Sequence, residues 1–332
     1  MLSNQAALRW VSRNARILAP LTTLIALFVL FTFTTDVFFT SANLLNVVTQ
    51  VGAVAVSAAG ITFVLLCAEI DLSIASVATF VGTISAWFWV NEKWGHAFGN
   101  WGVLVALAAA AGIGLFNGYC IAYIGIPSFM TTLAMLTIAH GLSVYITLGQ
   151  PIFTAPDLAH TLGSAGSRWH GFPVIGIFAI AVLVLAEIIL SYTRFGRYVY
   201  MTGGNREAAE MSGVNTRQIT MMCMMISSLT AGMAGILLVG RLNSANPSAG
   251  AEILISTIAA VVLGGTSLFG GEGGIKNTFL GLLIFGILSN GLNLLPNLSI
   301  YFKEALQGII LVAALLLNVV ALRLEKVQTR TE

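Results

Sequence analysis

Two acidic residues, Glu69 and Asp71, stand in the segment LLCAEIDLSIAS (65–76) between apolar runs, in a chain where only 8% of residues are charged. A carboxylate close to hydrocarbon costs several kcal/mol unless it meets water or a partner, so both are candidates for lining a polar solute pathway. Ser73 and Ser76 follow, and they suit a helix start whose N-terminus faces a polar ligand. A plain solvated turn between two membrane spans fits the same residues, and the local sequence leaves both readings open. If the turn is buried in protein, discontinuous helices and a solute path follow. Asn117 and Asn290, each followed by glycine inside an apolar stretch, fit either pathway hydrogen-bonding or links between helices.

Other candidates are plainer. Glu187 lies near the end of an apolar run, about two turns before Arg194, and is expected to reach the interface or to pair with Arg194 or Arg197 rather than to meet solute. His140 is a lone histidine on an apolar face. The glycine-dense passage 264–274 invites comparison with a phosphate cradle, but no Gly-x4-Gly-Lys-Ser/Thr occurs and Lys276 is followed by Asn277. Close helix packing, or a break in the span, accounts for it better. The three cysteines (Cys67, Cys120, Cys223) lie far apart in apolar runs and read as small apolar fillers, with no disulfide framework or metal spacing. Met221, Met222, Met224 and Met225 read as core or lipid-facing filler. No Ser-His-Asp order, His-Glu-x-x-His or Cys-x-x-Cys is present. Nothing here argues for an enzyme, a bound cofactor or a metal.

These residues need a frame, and composition supplies it. The chain has 332 residues, is 57% hydrophobic and has a mean hydropathy of +0.92. Soluble domains carry roughly 25% charged residues, so an all-α polytopic membrane protein is expected. A net charge of +2 with scattered bases excludes nucleic acid as a partner class. A span needs about 20 mostly apolar residues. That rule gives ten, at roughly 17–35, 47–67, 72–90, 101–123, 127–147, 173–193, 218–240, 252–270, 277–296 and 303–322. The first is charge-free and longer than a signal-peptide core, so it is expected to be retained.

Lys and Arg then set the orientation. With the N-terminus inside, eleven bases (Arg9, Arg13, Arg16, Arg194, Arg197, Arg206, Arg217, Lys276, Arg323, Lys326, Arg330) are cytoplasmic. Four (Lys93, Arg168, Arg241, Lys303) are outside. The bias requires an even span count. It gives one transmembrane domain over 1–332, with cytoplasmic termini at 1–16 and 323–332 and exterior loops near 91–100 and 148–172. The exterior loops hold Trp94, Trp101 and Trp169, as headgroup-level anchors.

The cytoplasmic loop 194–217 is the longest strongly charged passage. Gly203 and Gly204 free the backbone, Asn205 can cap a short helix carrying Glu207 and Glu210, and Gly213 can stop it. A short soluble helix held between spans reads as a docking peg, or as an ordinary solvated loop. A faint internal echo also appears: Asn117-Gly118 and Asn290-Gly291 fall in the fourth and ninth spans. An offset of five inverts direction through the membrane, the pattern of an inverted 5+5 repeat; chance recurrence in a glycine-rich chain gives the same echo.

Several segments together carry a resemblance: IDLS at 70–73, GLFNGYCIAYIGIPSFMTTLAMLTIAHG at 114–141, FGRYVYMTGGNREAAEMSGVNTR at 195–217, VVLGGTSLFGGEGG at 261–274 and GILSNGLNLL at 286–295. They resemble the permease subunits of binding-protein-dependent ABC importers for ribose, xylose, galactose and similar sugars. The resemblance implies an inner-membrane pair of permeases (a second copy or a paralogue), a cytoplasmic P-loop ATPase that binds the ATP, and a periplasmic solute-binding protein. It also implies that 204–213 is the segment that couples to the ATPase, through Gly204, Asn205, Glu207, Ala208, Ala209, Glu210, Ser212 and Gly213. The pathway set would be Glu69, Asp71, Ser73, Asn117 and Asn290.

One departure stands out: Ala68-Glu69 precedes Ile-Asp-Leu-Ser and Ile74-Ala75 follows, where the family has Gly-Gly and Val-Gly. Glu69 therefore points away from an ordinary pentose or hexose, toward a polyol, an amino sugar or another small polar solute, and an amino-acid cargo also stays open. A self-sufficient proton-driven transporter, with Glu69, Asp71, Glu187 and His140 as relay, is the other class of reading. A structural or assembly membrane protein is a third.

Overall fold

The computed structural model describes residues 15–90, 99–296, 298–299, 301–313 and 316. The chain is helical: α1 (Ala15–Thr34), α2 (Ser41–Leu66), α3 (Ile74–Val90), α4 (Trp101–Tyr119), α5 (Ser128–Thr147), α6 (Asp157–Gly163), α7 (Val174–Tyr192), α8 (Arg194–Gly204), α9 (Arg206–Met211), α10 (Thr216–Leu242), α11 (Gly250–Leu263), α12 (Ile275–Leu294) and α13 (301–313). A π-helical turn, Cys120–Ile124, extends α4 and stops at Gly125 with φ 87°. Two strands, β1 (Arg168–Trp169) and β2 (Phe172–Pro173), form a small antiparallel hairpin.

The first nine expected spans each overlap a helix, but helix length separates two kinds. Six helices among the described residues are long and apolar enough to cross a membrane: α2, α4 with its π turn, α5, α7, α10 and α12. The apolar part of α1 (Pro20–Thr34), α3, and the apolar part of α11 (Ile253–Leu263) are shorter. The tenth expected span runs past the described residues, as do the expected termini 1–16 (save its last two residues) and 323–332. The expected eighth span, 252–270, is corrected: α11 ends at Leu263, and 264–274 is a loop with left-handed backbone at Gly265, Gly270, Gly271, Gly273 and Gly274. The hydropathy of that passage resembles a span, but its glycines cannot hold a helix against so many turns.

The axis of the fold is α10, which packs on α2, α3, α4 and α6. Small residues allow it. A β-carbon on Gly235 would collide with the Ala78 carbonyl, and one on Gly60 with Thr230 and the Ser227 backbone. Without a hydrophobic drive between helices in lipid, such close approach supplies the dispersion contacts that hold them. Asp71 meets Ser227, Ala78 meets Gly235 and Gly82 meets Val239, so α3 runs parallel to α10.

The loops sort into two faces. On one, Leu66 meets Gly271, Ile70 meets Ser128, and Tyr200 meets Gly273, which groups 67–73, 125–128, 193–215 and 264–274. On the other, Ile152 bridges Ala245 and Asn100 accepts from the Leu158 N–H. This alternation is what an up-and-down chain requires.

Both α3 and α11 follow a turn capped by a side chain, the first buried and the second exposed. Before α3, Asp71 accepts from the Ser73 N–H at 2.9 Å; before α11, Asn246 accepts from the Ser248 N–H at 2.9 Å. A left-handed residue follows the preceding helix in each case, Ala68 at φ 60° and Asn243 at φ 48°. Gly250 at the start of α11 lies against Ala75 and Thr79 at the start of α3. The two helices share a turn type at their starts and lie five apart in the order of expected spans, the spacing on which the expected inverted repeat rests.

Candidate coupling face and buried polar cluster

Residues 67–73 carry the chain from the end of α2 back into the protein. The Glu69 carboxylate meets the Arg206 guanidinium at 2.7 Å, and Arg206 Nη2 also donates to Thr220 Oγ1 at 3.1 Å. Two residues on, the Ser227 hydroxyl donates to Asp71 Oδ2 at 2.8 Å. Thr220 and Ser227 are seven residues apart on α10, so Asp71 lies about 10 Å further along that helix than the Glu69–Arg206 pair, at 1.5 Å rise per residue. That descent is why α3 has 17 residues, short of a full crossing.

Asp71 is fully buried. Its Oδ1 accepts from the Ser73 N–H at 2.9 Å and the Ser73 hydroxyl at 2.6 Å. The Asn117 amide in turn donates to Ser73 Oγ at 3.2 Å. The donor order is fixed: Ser73 gives its proton to the carboxylate, so Asn117 must donate and its Oδ1 is left without a protein partner. Three donors and the positive end of α3 meet the carboxylate at the helix start, which offsets part of the cost of burying its charge. The solvated-turn reading is therefore corrected. Packing from α10 closes over Asp71, and Glu69 keeps 12% of its side chain exposed.

Of the expected pathway residues, the fold brings Asp71, Ser73 and Asn117 into one cluster, adds Ser227, and leaves Glu69 at its water-facing end. Asn290 sits apart near the opposite face, accepting from the Asn43 amide at 2.9 Å. The expected Glu187 pairing is also corrected. Glu187 accepts from Ser191 at 2.7 Å and meets Lys276 at 3.4 Å, because α7 lies beside the start of α12. His140 faces outward on α5. Cys67 and Cys223, far apart in sequence, face each other at 3.5 Å as free buried thiols.

The loop 194–217, the expected coupling segment, is built of capped pieces. Thr193 accepts from the Gly196 N–H, Asn205 from the Ala208 N–H, and Asn215 from the Gln218 N–H. Gly213, at φ 81°, ends α9. Glu207, Ala208, Glu210, Ser212 and Gly213 are exposed, together with Gly204 and Asn205; Ala209 turns inward at 2% exposure. The Glu210 carboxylate accepts from the Thr216 hydroxyl, tying α9 to α10.

The base of α9 is a junction of bare backbone. Gly271 N–H donates to the Leu66 carbonyl at 2.9 Å, Gly203 lies against that carbonyl, and Gly271 touches Gly204. A β-carbon at Gly203 would fill the space the Leu66 carbonyl occupies. The Tyr200 hydroxyl donates to the Gly273 carbonyl at 2.8 Å. Burial first, then the Glu187 charge, pushes the Tyr200 phenol up from its usual range, so it stays a neutral donor. Arg206 and Ser227 were missed at the level of sequence because nothing local to them marks a partner more than a hundred residues away, and Thr220 joins the site only through Arg206.

The chain is 38% identical over 288 residues to the ribose import permease protein RbsC of Escherichia coli (strain K12), covering 85% of this chain and 87% of that one. It is 35% identical over 308 residues to the protein of the same name from Bacillus subtilis (strain 168), covering 91% and 92%. To the xylose transport system permease protein XylH of Escherichia coli (strain K12) it is 29% identical, covering 91% of each. No solved structure matches. Residues 43–315 match the family model described as branched-chain amino acid transport system / permease component. With its apolar helices and its capped loop between α7 and α10, the chain belongs to this permease family, as a multi-pass membrane transport subunit rather than an enzyme.

Proposed function

We propose that the chain is the solute-conducting subunit of an ATP-driven importer for a sugar or sugar-like solute, with α9 as the contact for a cytoplasmic P-loop ATPase. The observation that carries this is the mounting of α9. A six-residue helix with an exposed acidic face is tied at its base to the end of α2 and to the 264–274 loop by backbone. It is tied to the α3 linker by the Glu69–Arg206 pair. A push on α9 thus reaches the origins of α3, α10 and α12 together. ATP is held by the partner and no cofactor by this chain. A second permease copy or paralogue and a periplasmic solute-binding protein complete the assembly in the bacterial inner membrane, with both termini cytoplasmic.

The ribose and xylose names of the relatives favour a sugar over an amino acid. Because both Asp71 oxygens are already engaged, we read Asp71, Ser73, Asn117 and Ser227 as the bracket that seats α3 beside the pathway. A proton relay fits less well: Glu69, Glu187 and His140 lie at separate places, the first two with cationic partners of their own.

The test is mass spectrometry of what co-purifies in mild detergent, wild type beside a variant with 204–213 replaced by a Gly-Ser linker. Retention of a P-loop ATPase by wild type and its loss from the variant is the expected result. Uptake under a proton gradient by a protein that brings down no ATPase would overturn the proposal.

A further inference from the structure

The loop 264–274 holds an aromatic residue in an unusual position. Phe269 is 90% exposed and its neighbour Leu268 is 44% exposed. They sit on the face that carries α9, at the tip of a loop that is firmly built. The Phe269 N–H donates to Ser267 Oγ at 3.1 Å and the Ser267 N–H to the Glu272 carbonyl at 2.9 Å. Thr266 Oγ1 accepts from the Gly274 N–H, and Gly271 is bonded to the Leu66 carbonyl. The left-handed glycines make this compact shape available. An aromatic side chain held out on a braced loop has little ordering entropy left to lose on binding.

An exposed aromatic near a membrane face is often a headgroup anchor, but the surroundings of Phe269 are polar. Gly270 and Gly271 lie against Gly203 and Gly204, the residues that lead directly into α9 and its exposed Arg206, Glu207 and Glu210. Glu272 and Lys276, both exposed, follow on the other side. Met211 at the end of α9 is 84% exposed, so α9 too presents an apolar side chain, and the contact of Gly271 with Gly204 joins the loop to the base of that helix.

We infer that the 264–274 loop is a second docking element for the ATPase, with Phe269 entering an apolar pocket beside the groove that takes α9. This rests on the reading of α9 as an ATPase contact. The complementary surface is an apolar pocket flanked by basic groups that meet Glu207. Two contacts on one braced backbone junction would resist rotation of the ATPase about α9, which a single short peg cannot.

Cysteine labelling of the purified permease in lipid nanodiscs, with and without its purified ATPase subunit, tests this. The native thiols are buried, so a membrane-impermeant maleimide reads the introduced residue. Phe269→Cys is expected to label readily alone and at least about fivefold more slowly with the ATPase; Glu207→Cys reports separately on α9. Phe269→Glu is expected to weaken ATPase retention about tenfold, in the range of a buried interface aromatic. Equal labelling of Phe269→Cys with and without the ATPase overturns the inference while a protected Glu207→Cys leaves the α9 reading standing. Failure to label even without the ATPase places Phe269 in lipid and overturns it too. Protection at position 269 with none at 207 removes the α9 reading and, with it, the inference of a second element beside α9.

Discussion

Arg206→Ala should do more harm than Glu69→Gly, and the two together should do less harm than Arg206→Ala alone. The ordering follows from exposure. Glu69 keeps 12% of its side chain exposed and Arg206 keeps 44%. Removing Arg206 leaves a mostly buried carboxylate without its cation, which costs about 1–3 kcal/mol. Removing Glu69 leaves a guanidinium that reaches water and still donates to Thr220. After discounting for solvent screening, that loss is about 0.5–1 kcal/mol. In the double variant neither orphan exists, and Ala68, at φ 60°, gains a flexible neighbour, so about 1 kcal/mol or more should return as a coupling term. The assay is the fraction of monodisperse protein left after heating in detergent, beside ATP-dependent solute uptake in vesicles, for all four members of the cycle. Membrane proteins often unfold irreversibly, so rank order is the quantity compared. Additive losses, or a Glu69→Gly variant worse than Arg206→Ala, would show that the pair does not hold the α3 linker to the 194–217 loop. A changed solute preference in Glu69→Gly would instead return Glu69 to the pathway.

Three further outcomes are expected. Asp71→Ala strands the Ser73 and Ser227 hydroxyls and the Ser73 N–H in a dry cluster and should cost roughly 3 kcal/mol or more, whereas Asp71→Asn can accept from Ser73 and donate to Ser227 and should keep most of the stability; equal damage in the same heating assay would refute the bracket. Gly203→Val should prevent stable folding, since its side chain meets the Leu66 carbonyl; a normally expressed, monodisperse variant would contradict the backbone junction. Tyr200→Phe should lower stability by about 1 kcal/mol through the lost bond to Gly273, and unchanged melting would assign that bond no net value.

The boundaries that were legible in the sequence are those with local punctuation. Gly125-Ile126-Pro127-Ser128 separates α4 from α5 within a passage of about 60 uncharged residues, since glycine and proline act on their own backbone. The α8–α9 boundary was legible for the same reason, through Asn205 and Gly213. The end of α11 was not, because Val262, Leu263 and Leu268 keep hydropathy high across a glycine loop. Nor was the depth of Asp71. It is set by Ser227, 156 residues later, and by helix packing that permits residue 78 to touch residue 235. Glu69 was marked as unusual by its neighbours, but its role could not be read until Arg206 was seen beside it.

The start of α3 inside the protein has a consequence for biogenesis. When α2 and α3 leave the translocon, the linker between them carries a carboxylate whose later cover is absent, because Ser227 and the rest of α10 are not yet made. At about 5–20 residues per second, the 156 residues from Asp71 to Ser227 take roughly 8–31 s to synthesise. For that interval the second and third helices cannot settle in lipid at their final depth. Membrane entry in the N-terminal half is therefore provisional, and its last step waits for a helix encoded in the other half of the chain.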